Sequence, residues 1–236
     1  MLAAIGFLNV LVLWFYLLAL QDEEASIAIV FYQLVPVIAL VLGYYILDEV
    51  ITKIELIGMA IVILGTSIIA FEIDAENNFK LKGKTAIYMT LASFFWALES
   101  VIFKAVALEE NVWRSLFWEH VMLVLVGIVI FIFVRSYREN FLLAIKTNSK
   151  AILGLNVANE SLYMSGNILF AFAYLWAPIA LILLLNSFQP IFVLAIGIFL
   201  TIFFPKITAE KIHATNLWQK IIAIIITGIG TYLLLM

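Results

Sequence analysis

Five polar side chains recur at helical spacing in residues 155–167, LNVANESLYMSGN, a stretch that is otherwise apolar: Asn156, Asn159, Glu160, Tyr163 and Asn167. At about 100° per residue they fall within roughly 100° of one another around a helix. The Glu160 carboxyl group can bind and release a proton, and the amides and the phenol can bind a small polar ligand. The stripe therefore predicts a cavity lining, with proton coupling at Glu160. The alternative is a polar contact that holds two helices together.

Polar or aromatic side chains near the middle of other apolar stretches are further candidates for substrate binding or coupling: Glu99, Trp96, Gln33, Asn186 and Gln189. Glu99 has a hydrogen-bonded packing role as its alternative. Pro36 and Pro190 are candidates for helix kinks, because a proline in a helix frees a backbone carbonyl about one turn earlier. Such a carbonyl either binds substrate or accompanies a bend, and bending is the favoured interpretation.

Structural interpretations are favoured for one adjacent pair, Glu119 and His120, and for Lys104. Glu119 and His120 are adjacent, so they diverge by about 100° on a helix and at most one of them faces a given cavity. Their position close to Trp113 favours a pair at the level of the lipid headgroups. Lys104 is expected to extend its ammonium group to the membrane interface.

Composition excludes a soluble domain and several classes of site. The 236 residues are 66% hydrophobic and 12% charged, whereas soluble domains are about 45–50% apolar and about 25% charged. Without cysteine and with only His120 and His213 as histidines, the chain predicts no metal site. No basic run with interleaved aromatics predicts nucleic-acid binding. The expected partners are membrane lipid and a small-molecule substrate, and the oligomeric state stays open.

Apolar runs of membrane-spanning length predict an all-α integral membrane protein with eight transmembrane helices. Turns and charged clusters place them near residues 1–20, 26–47, 54–71, 86–108, 112–134, 152–175, 179–203 and 217–236. The connections between them are too short to fold as a soluble domain. Any functional site is therefore expected within the helix bundle or at its two mouths.

A displaced copy of the first helices recurs later in the chain. Pro36 and Pro190 are 154 positions apart, and Gly65-Thr66 and Gly230-Thr231 are 165 apart. The first predicted span thus corresponds to the sixth, and an odd displacement reverses the direction of crossing. The sequence predicts an inverted-topology repeat of 3 + 5 helices, with an incomplete first copy in residues 1–73 and a complete second copy in residues 86–236.

The segment DEEASIAIVFYQLVPVIALVLGYYILDEVITKIELIGMAIVILGTSII resembles the second part of an EamA-type repeat of the drug/metabolite transporter superfamily. KLKGKTAIYMTLASFFWALESVIFK is similar to the opening of the next repeat, and NSFQPIFVLAIGIFLTIFFPKI with IIAIIITGIGTYLLL to its close. The resemblance implies a ten-helix carrier whose first two helices are absent here, working without a cofactor. The family's acidic residue after its fourth helix matches Glu49 in LDE, and LTIFF in the second copy has no counterpart to it.

The resulting prediction is a multi-pass secondary transporter or exporter of small metabolites in the cell membrane, working by alternating access at a midplane cavity. The alternatives are a truncated non-transporting protein or gene fragment and, less favoured, a membrane enzyme acting on lipid. No set of catalytic groups converges in the sequence, so no enzyme is predicted. Orientation stays open, because the excess of Lys and Arg on one side places both termini outside, whereas the family resemblance implies the reverse.

Overall fold

The computed structural model describes residues 2–50, 52–69, 71–73, 79–81, 83–203, 214–234 and 236. Within these residues the chain is helical apart from one short hairpin. The α-helices are α1 (Leu2–Asp22), α2 (Ala25–Phe31), α3 (Leu34–Ile46), α4 (Lys53–Ile69), α5 (Gly83–Glu109), α6 (Val112–Phe133), α7 (Arg135–Ala173), α8 (Ile179–Leu183), α9 (Gln189–Phe203) and α10 (Ala214–Leu233). A 3₁₀ helix, Leu184–Phe188, joins α8 to α9, and the antiparallel strands are β1 (Phe71–Ile73) and β2 (Phe79–Leu81).

Five segments of the described chain are long and apolar enough to cross a membrane: Ala4–Asp22, Ala25–Ile46, Gly83–Glu109, Val112–Phe133 and Ile179–Phe203. A shorter apolar helix, Leu217–Leu233, follows. They confirm a helical membrane protein, while the count of eight spans and the repeat stay predictions.

Two connections expected between spans have regular structure of their own. The connection after α4 contains β1 and β2, which pair with Phe71 opposite Leu81. The connection predicted at residues 135–150 is helical and continues into the next predicted span as α7, a run of 39 residues with a kink at Asn148 (φ −154°, ψ 67°). Its Glu, Lys, Arg, Leu and Ala residues are good helix formers, which explains why a polar linker folds as helix.

The described helices form two compact units. Unit 1 comprises Met1–Val10 and Ile102–Ala177, and unit 2 comprises Leu11–Val101 and Pro178–Met236. The boundaries therefore fall inside α1 and α5 and in the turn before α8. Each unit brings together segments that are distant in sequence, so each contains tertiary contacts that no single apolar run predicts.

In unit 1 a glycine on α1 allows the backbones of α1 and α6 to approach each other closely. A Cβ added to Gly6 would lie 2.6 Å from the Glu119 carbonyl oxygen and 2.5 Å from the Met122 Cβ. Small residues at helix crossings in membranes permit this approach. Asn9, three residues after Gly6, lies on the same face of α1. Gly6 therefore determines how closely Asn9 approaches α6.

Lys104, also in unit 1, is buried with 8% of its surface exposed. Its ammonium Nζ donates a hydrogen bond to the Ala177 carbonyl oxygen at 2.8 Å, in the turn that follows α7. The expectation that Lys104 reaches the membrane interface stays a prediction. The carbonyl at the end of a helix-terminating turn supplies the hydrogen-bond acceptor that this buried ammonium group requires.

In unit 2 α4 and α10 cross in close contact. A Cβ on Gly65 would lie 2.9 Å from the Thr227 backbone nitrogen, and one on Gly230 would lie 2.7 Å from the Val62 backbone nitrogen. The separation of 165 positions that relates Gly65 to Gly230 also relates Val62 to Thr227. When each residue is replaced by its counterpart in the other helix, the contact of Gly65 with Thr227 therefore becomes the contact of Gly230 with Val62, and the reverse.

Two interrupted helices also pack together in unit 2. The first consists of α2 and α3, which are separated at Tyr32–Gln33, and the second of α8, the 3₁₀ helix Leu184–Phe188 and α9. Packing pairs α3 with α8 and α2 with α9. The 154-position separation of Pro36 and Pro190 carries α2 onto α8 and α3 onto α9, so these contacts change places as well.

Glu49 connects the two interrupted helices at one end. Asp48 adopts a left-handed conformation with φ 54°, which Asp tolerates better than most residues. The turn brings the Glu49 carboxylate back over Gly43, where a Cβ would lie 2.7 Å from Oε2. Glu49 Oε1 accepts a hydrogen bond from the Ile179 backbone N–H at 3.4 Å. The carboxylate thus lies at the positive end of the α8 dipole.

Candidate functional site

The centre of unit 1 contains a carboxyl group surrounded by amides. Glu119 on α6 has 1% of its surface exposed. Its Oε1 accepts hydrogen bonds from Asn9 Nδ2 on α1 and from Asn167 Nδ2 on α7, both at 3.3 Å. Asn9 Nδ2 also donates to the Tyr163 hydroxyl oxygen at 2.9 Å. Three helices therefore contribute to one polar cluster, Glu119–Asn9–Tyr163–Asn167, which we call the Glu119 cluster.

One side of the Glu119 carboxyl group has no hydrogen-bond partner. Oε2 is buried without one, and so is the hydroxyl Oγ of Ser115, which lies one turn earlier on α6. Ser115 is fully buried, and residues four apart project from the same face of a helix. Among the described residues no lysine or arginine forms an ion pair with Glu119. Glu119 thus faces the interior of unit 1, and its interpretation as a headgroup-level residue, which concerns depth in the membrane, stays a prediction.

The predicted stripe on α7 divides into two parts. Tyr163 and Asn167 contact the Glu119 cluster. Asn156, Asn159 and Glu160 are exposed on the surface of the described chain, and Asn156 Nδ2 donates to the Ile152 carbonyl oxygen of its own helix at 2.8 Å. The carboxyl group that lies among the amides is that of Glu119, and Glu160 lies outside this cluster.

An apolar groove of about 530 Å³ runs along α6 and α7 in unit 1. Its walls include Trp113, Phe117, His120 and Met164. His120 Nδ1 lies 2.8 Å from the Leu116 carbonyl oxygen of its own helix, while Nε2 is buried without a hydrogen-bond partner. Adjacent residues diverge by about 100° on a helix, and the His120 imidazole still interacts electrostatically with the Glu119 carboxyl group.

The first interrupted helix of unit 2 uses its polar groups internally. The carbonyl oxygen of Phe31, next to the break, accepts a hydrogen bond from Ser93 Oγ on α5 at 3.1 Å. Gln33 is 2% exposed, and its Oε1 accepts a hydrogen bond from Thr231 Oγ1 on α10 at 3.3 Å. The break lies about one turn before the buried Pro36. The Pro36 nitrogen carries no hydrogen, so it cannot donate to a backbone carbonyl one turn earlier.

Aromatic rings cover the same break. The Tyr32 ring meets the Trp96 indole edge to face, with ring centroids 4.8 Å apart, and packs against Tyr16 at 5.5 Å. Trp96 is a predicted site residue that the structure thus places beside the interrupted helix. Glu99, one turn further along α5, is half-buried, and its Oε2 accepts a hydrogen bond from Ser100 Oγ at 3.4 Å.

The second interrupted helix has polar atoms without partners. Asn186 lies in the 3₁₀ helix, Gln189 begins α9, and the buried Pro190 follows. Asn186 Nδ2 and Gln189 Oε1 are both buried without a hydrogen-bond partner. One is a donor and the other an acceptor, three residues apart at the change from 3₁₀ to α-helix. The arrangement can bind a ligand that offers both an acceptor and a donor.

The polar residues of these sites that were not identified from the sequence include Asn9, Ser115 and Thr231. A usable signal exists for Asn9, because Gly6 and Asn9 lie three apart in an apolar helix where a small residue permits close packing. Ser115 and Thr231 resemble the many hydroxyl residues that bond to their own helix. Within the described residues no group of three or more His, Asp or Glu side chains is placed to bind a metal ion.

Comparison with known proteins places part of this architecture in a family. Residues 1–71 match the EamA-like transporter family, and this stretch includes α1 to α4 with the first interrupted helix. A search of curated proteins finds no match. Together with the five apolar spans, the family match indicates a membrane protein of transporter type. Through residues 1–71 it confirms the resemblance to EamA-type transporters of the drug/metabolite transporter superfamily.

Proposed function

We propose that the protein is a secondary transporter of small metabolites in the cell membrane, with a substrate site at the interrupted helices of unit 2. The observation that carries this proposal is the pair of buried, unpartnered atoms Asn186 Nδ2 and Gln189 Oε1. Inverted-repeat carriers bind their substrates at such interrupted helices. The family match favours transport over the alternative of a membrane enzyme acting on lipid.

The energetic argument for a substrate here is that both atoms are costly to bury when no ligand binds them. A buried polar group without a hydrogen-bond partner costs about 1–3 kcal/mol. A substrate that offers a carbonyl or carboxylate oxygen to Asn186 and an N–H or O–H to Gln189 removes this cost for both. Zwitterionic and hydroxylated metabolites have this combination of groups, whereas bulky lipophilic cations do not.

Alternating access is supported by the pairing of contacts in unit 2. The contacts of Gly65 with Thr227 and of Gly230 with Val62 change places under the repeat, as do the contacts of α3 with α8 and of α2 with α9. A two-fold axis in the membrane plane produces such exchanges. An exchange of conformation between the corresponding helices of unit 2 would open the site to either side, which is how the proposed transport proceeds.

The test is counterflow in vesicles that contain the purified protein. Vesicles are loaded in turn with unlabelled amino acids, nucleosides, sugars and organic cations, and uptake of the corresponding labelled compound is measured. We expect counterflow with a zwitterionic or hydroxylated class and its loss in Asn186→Leu and Gln189→Leu. Leucine approximates the volume of the amide side chains and removes their polar atoms, so both variants should fold.

Asn159→Leu is the matched control, because Asn159 is exposed on α7. It should retain counterflow. Loss of counterflow in Asn159→Leu with normal activity in Asn186→Leu would move the substrate site to the α7 stripe of Asn156, Asn159 and Glu160. Wild-type vesicles without counterflow of any of the four classes would favour the alternative of a protein that does not transport.

A further inference from the structure

We propose that Glu119 is a proton-binding site of this protein, with the proton on Oε2 in the conformation described here, and that its release and uptake couple transport to a pH gradient. The coupling step rests on the proposed transport function. The presence of the proton on Oε2 does not, because it follows from the surroundings of Glu119 alone.

Charge is the first argument. An ionised carboxylate that is buried without a countercharge costs several kcal/mol, and a charge inside a membrane-spanning helix costs about 3 kcal/mol on insertion scales. Glu119 is 1% exposed, and its contacts are the neutral amides of Asn9 and Asn167. The contrast with Glu24 of unit 2 is direct, because Glu24 forms an ion pair with Lys220. A proton on Glu119 removes the charge that its amide contacts leave uncompensated.

Hydrogen-bond geometry is the second argument. Both amide contacts go to the same oxygen, Oε1, at 3.3 Å, and none goes to Oε2. A neutral carboxylic acid has this asymmetry, with a carbonyl oxygen that accepts and a hydroxyl oxygen that carries the proton.

A proton suits the burial of this oxygen. Glu119 Oε2 is buried without a hydrogen-bond partner, and a proton adds no volume beside it. Ser115 Oγ lies one turn away on the same face of α6, is buried without a partner, and has lone pairs that accept a hydrogen bond from a carboxylic acid. We assign Ser115 the role of a positioning residue.

Few other titratable groups face Glu119. From α1 it meets Asn9, and from α7 it meets Asn167 with Tyr163 behind Asn9. On α6 the neighbouring titratable group is His120, whose imidazole interacts electrostatically with the Glu119 carboxyl group and whose Nδ1 lies 2.8 Å from the Leu116 carbonyl oxygen. Glu160 lies on the exposed surface of α7. In each cycle one O–H bond forms on the carboxylate, with a proton taken from hydronium in the water on one side of the membrane. The same bond breaks when the proton returns to water on the other side.

Infrared spectroscopy tests the proton itself without any substrate. The spectrum of purified wild-type protein near neutral pH is compared with that of Glu119→Gln. Glutamine keeps an oxygen acceptor for the two amides and cannot be ionised, so the variant should fold. We expect the difference spectrum to show loss of a carboxylic-acid C=O stretch. Loss of a carboxylate band instead would overturn the proposal. Glu160→Gln, the matched control, should leave the acid band unchanged.

Vesicle transport tests the coupling. The probe is a mixture of radiolabelled amino acids, followed as pH-gradient-driven uptake and as counterflow at equal pH. We expect Glu119→Gln to lose gradient-driven uptake and to retain counterflow, and Glu160→Gln to retain both. Ser115→Ala should weaken gradient-driven uptake alone and leave counterflow normal.

The two proposals fail in different ways. Gradient-driven uptake that persists in Glu119→Gln would overturn the coupling. An absence of counterflow by the wild type with every tested class would count against the transport function, while the infrared result still decides whether Glu119 carries a proton. Transport together with a lost carboxylate band would overturn the proton site and leave the substrate site in place.

Discussion

Two largely buried glutamates receive opposite surroundings in this protein. In unit 2 Glu24, at the start of α2, forms an ion pair with Lys220 of α10, and the side chains are 15% and 3% exposed. In unit 1 Glu119 meets amides and a phenol and forms no ion pair among the described residues. An ion pair keeps its carboxylate charged and holds two helices together. Amides alone tolerate the change between a charged and a neutral carboxyl group, which a coupling site requires.

The two units also differ in how they provide for a ligand. Unit 1 concentrates its polar groups around one carboxyl group. Unit 2 distributes unpartnered atoms along an interrupted helix, at Asn186 and Gln189. We propose ion coupling for unit 1 and substrate recognition for unit 2, and each of the following predictions tests one side of this comparison.

The largest effect is expected when the two glutamates receive the same substitution. Glu24→Gln leaves the Lys220 ammonium group buried without its carboxylate, and breaking a buried ion pair in this way costs about 3–5 kcal/mol. The midpoint of thermal unfolding in detergent should fall on the order of 10 °C. Glu119→Gln keeps its amide contacts and should change the midpoint little. Equal losses in both variants would contradict the assignment of Glu24 to structure and Glu119 to proton binding.

The double variant Glu24→Gln with Lys220→Met is the control for this comparison. Removing both charges eliminates the isolated ammonium group, and apolar replacements of buried ion pairs are often neutral. Most of the stability lost in Glu24→Gln should return. A double variant that is less stable than either single variant would show that the two residues act mainly through other contacts.

The second prediction concerns the crossing that supports the interrupted helices. Gly230→Ala places a Cβ 2.7 Å from the Val62 backbone nitrogen and 2.8 Å from the Gly58 carbonyl oxygen. Backbone atoms cannot rotate away, so α4 and α10 must separate, at a cost of about 1–3 kcal/mol. Gly228→Ala is the matched control, because nothing lies within 4 Å of its added Cβ. Unfolding midpoints should fall for Gly230→Ala and stay level or rise for Gly228→Ala.

The same substitution in unit 1 should affect the proton site more than stability. Gly6→Ala places a Cβ 2.6 Å from the Glu119 carbonyl oxygen, which pushes α1 and with it Asn9 away from the carboxyl group. We expect the infrared acid band of Glu119 to shift because one hydrogen bond to Oε1 is lost. Gly127→Ala on α6 has nothing within 4 Å of its Cβ and should leave the band in place. An unshifted band in Gly6→Ala would remove Asn9 from the cluster.

The apolar runs and the two prolines are local signals, and local signals predict the helical class of the chain. The span from Ala25 to Ile46 is apolar throughout, and its break precedes Pro36 by one turn. Polar composition misled the prediction at residues 135–150, where α7 is helical. A segment rich in charged residues forms either an irregular linker or an exposed helix. The sequence alone does not distinguish the two, because the outcome depends on tertiary packing.

The Glu119 cluster was harder to predict because its contacts are distant in sequence. Asn9 and Glu119 are 110 positions apart and meet through the close approach at Gly6. The regular polar stripe on α7 directed attention to Glu160, and only its last two members, Tyr163 and Asn167, contact the cluster. Periodicity identifies which residues share a helix face, but the partner of that face depends on tertiary packing.

The smallest predicted effect concerns the first interrupted helix. Ser93→Ala removes the donor to the Phe31 carbonyl oxygen, and an unsatisfied buried acceptor costs about 1–3 kcal/mol. If this break is structural and substrate binds at the second, the variant should lose some thermal stability and keep its counterflow affinity. Ser67→Ala is the control, since Ser67 Oγ bonds to its own helix at the Ile63 carbonyl. A Ser93→Ala variant of normal stability with weakened counterflow would instead assign substrate to the Phe31 carbonyl, and both interrupted helices of unit 2 would then belong to the substrate site.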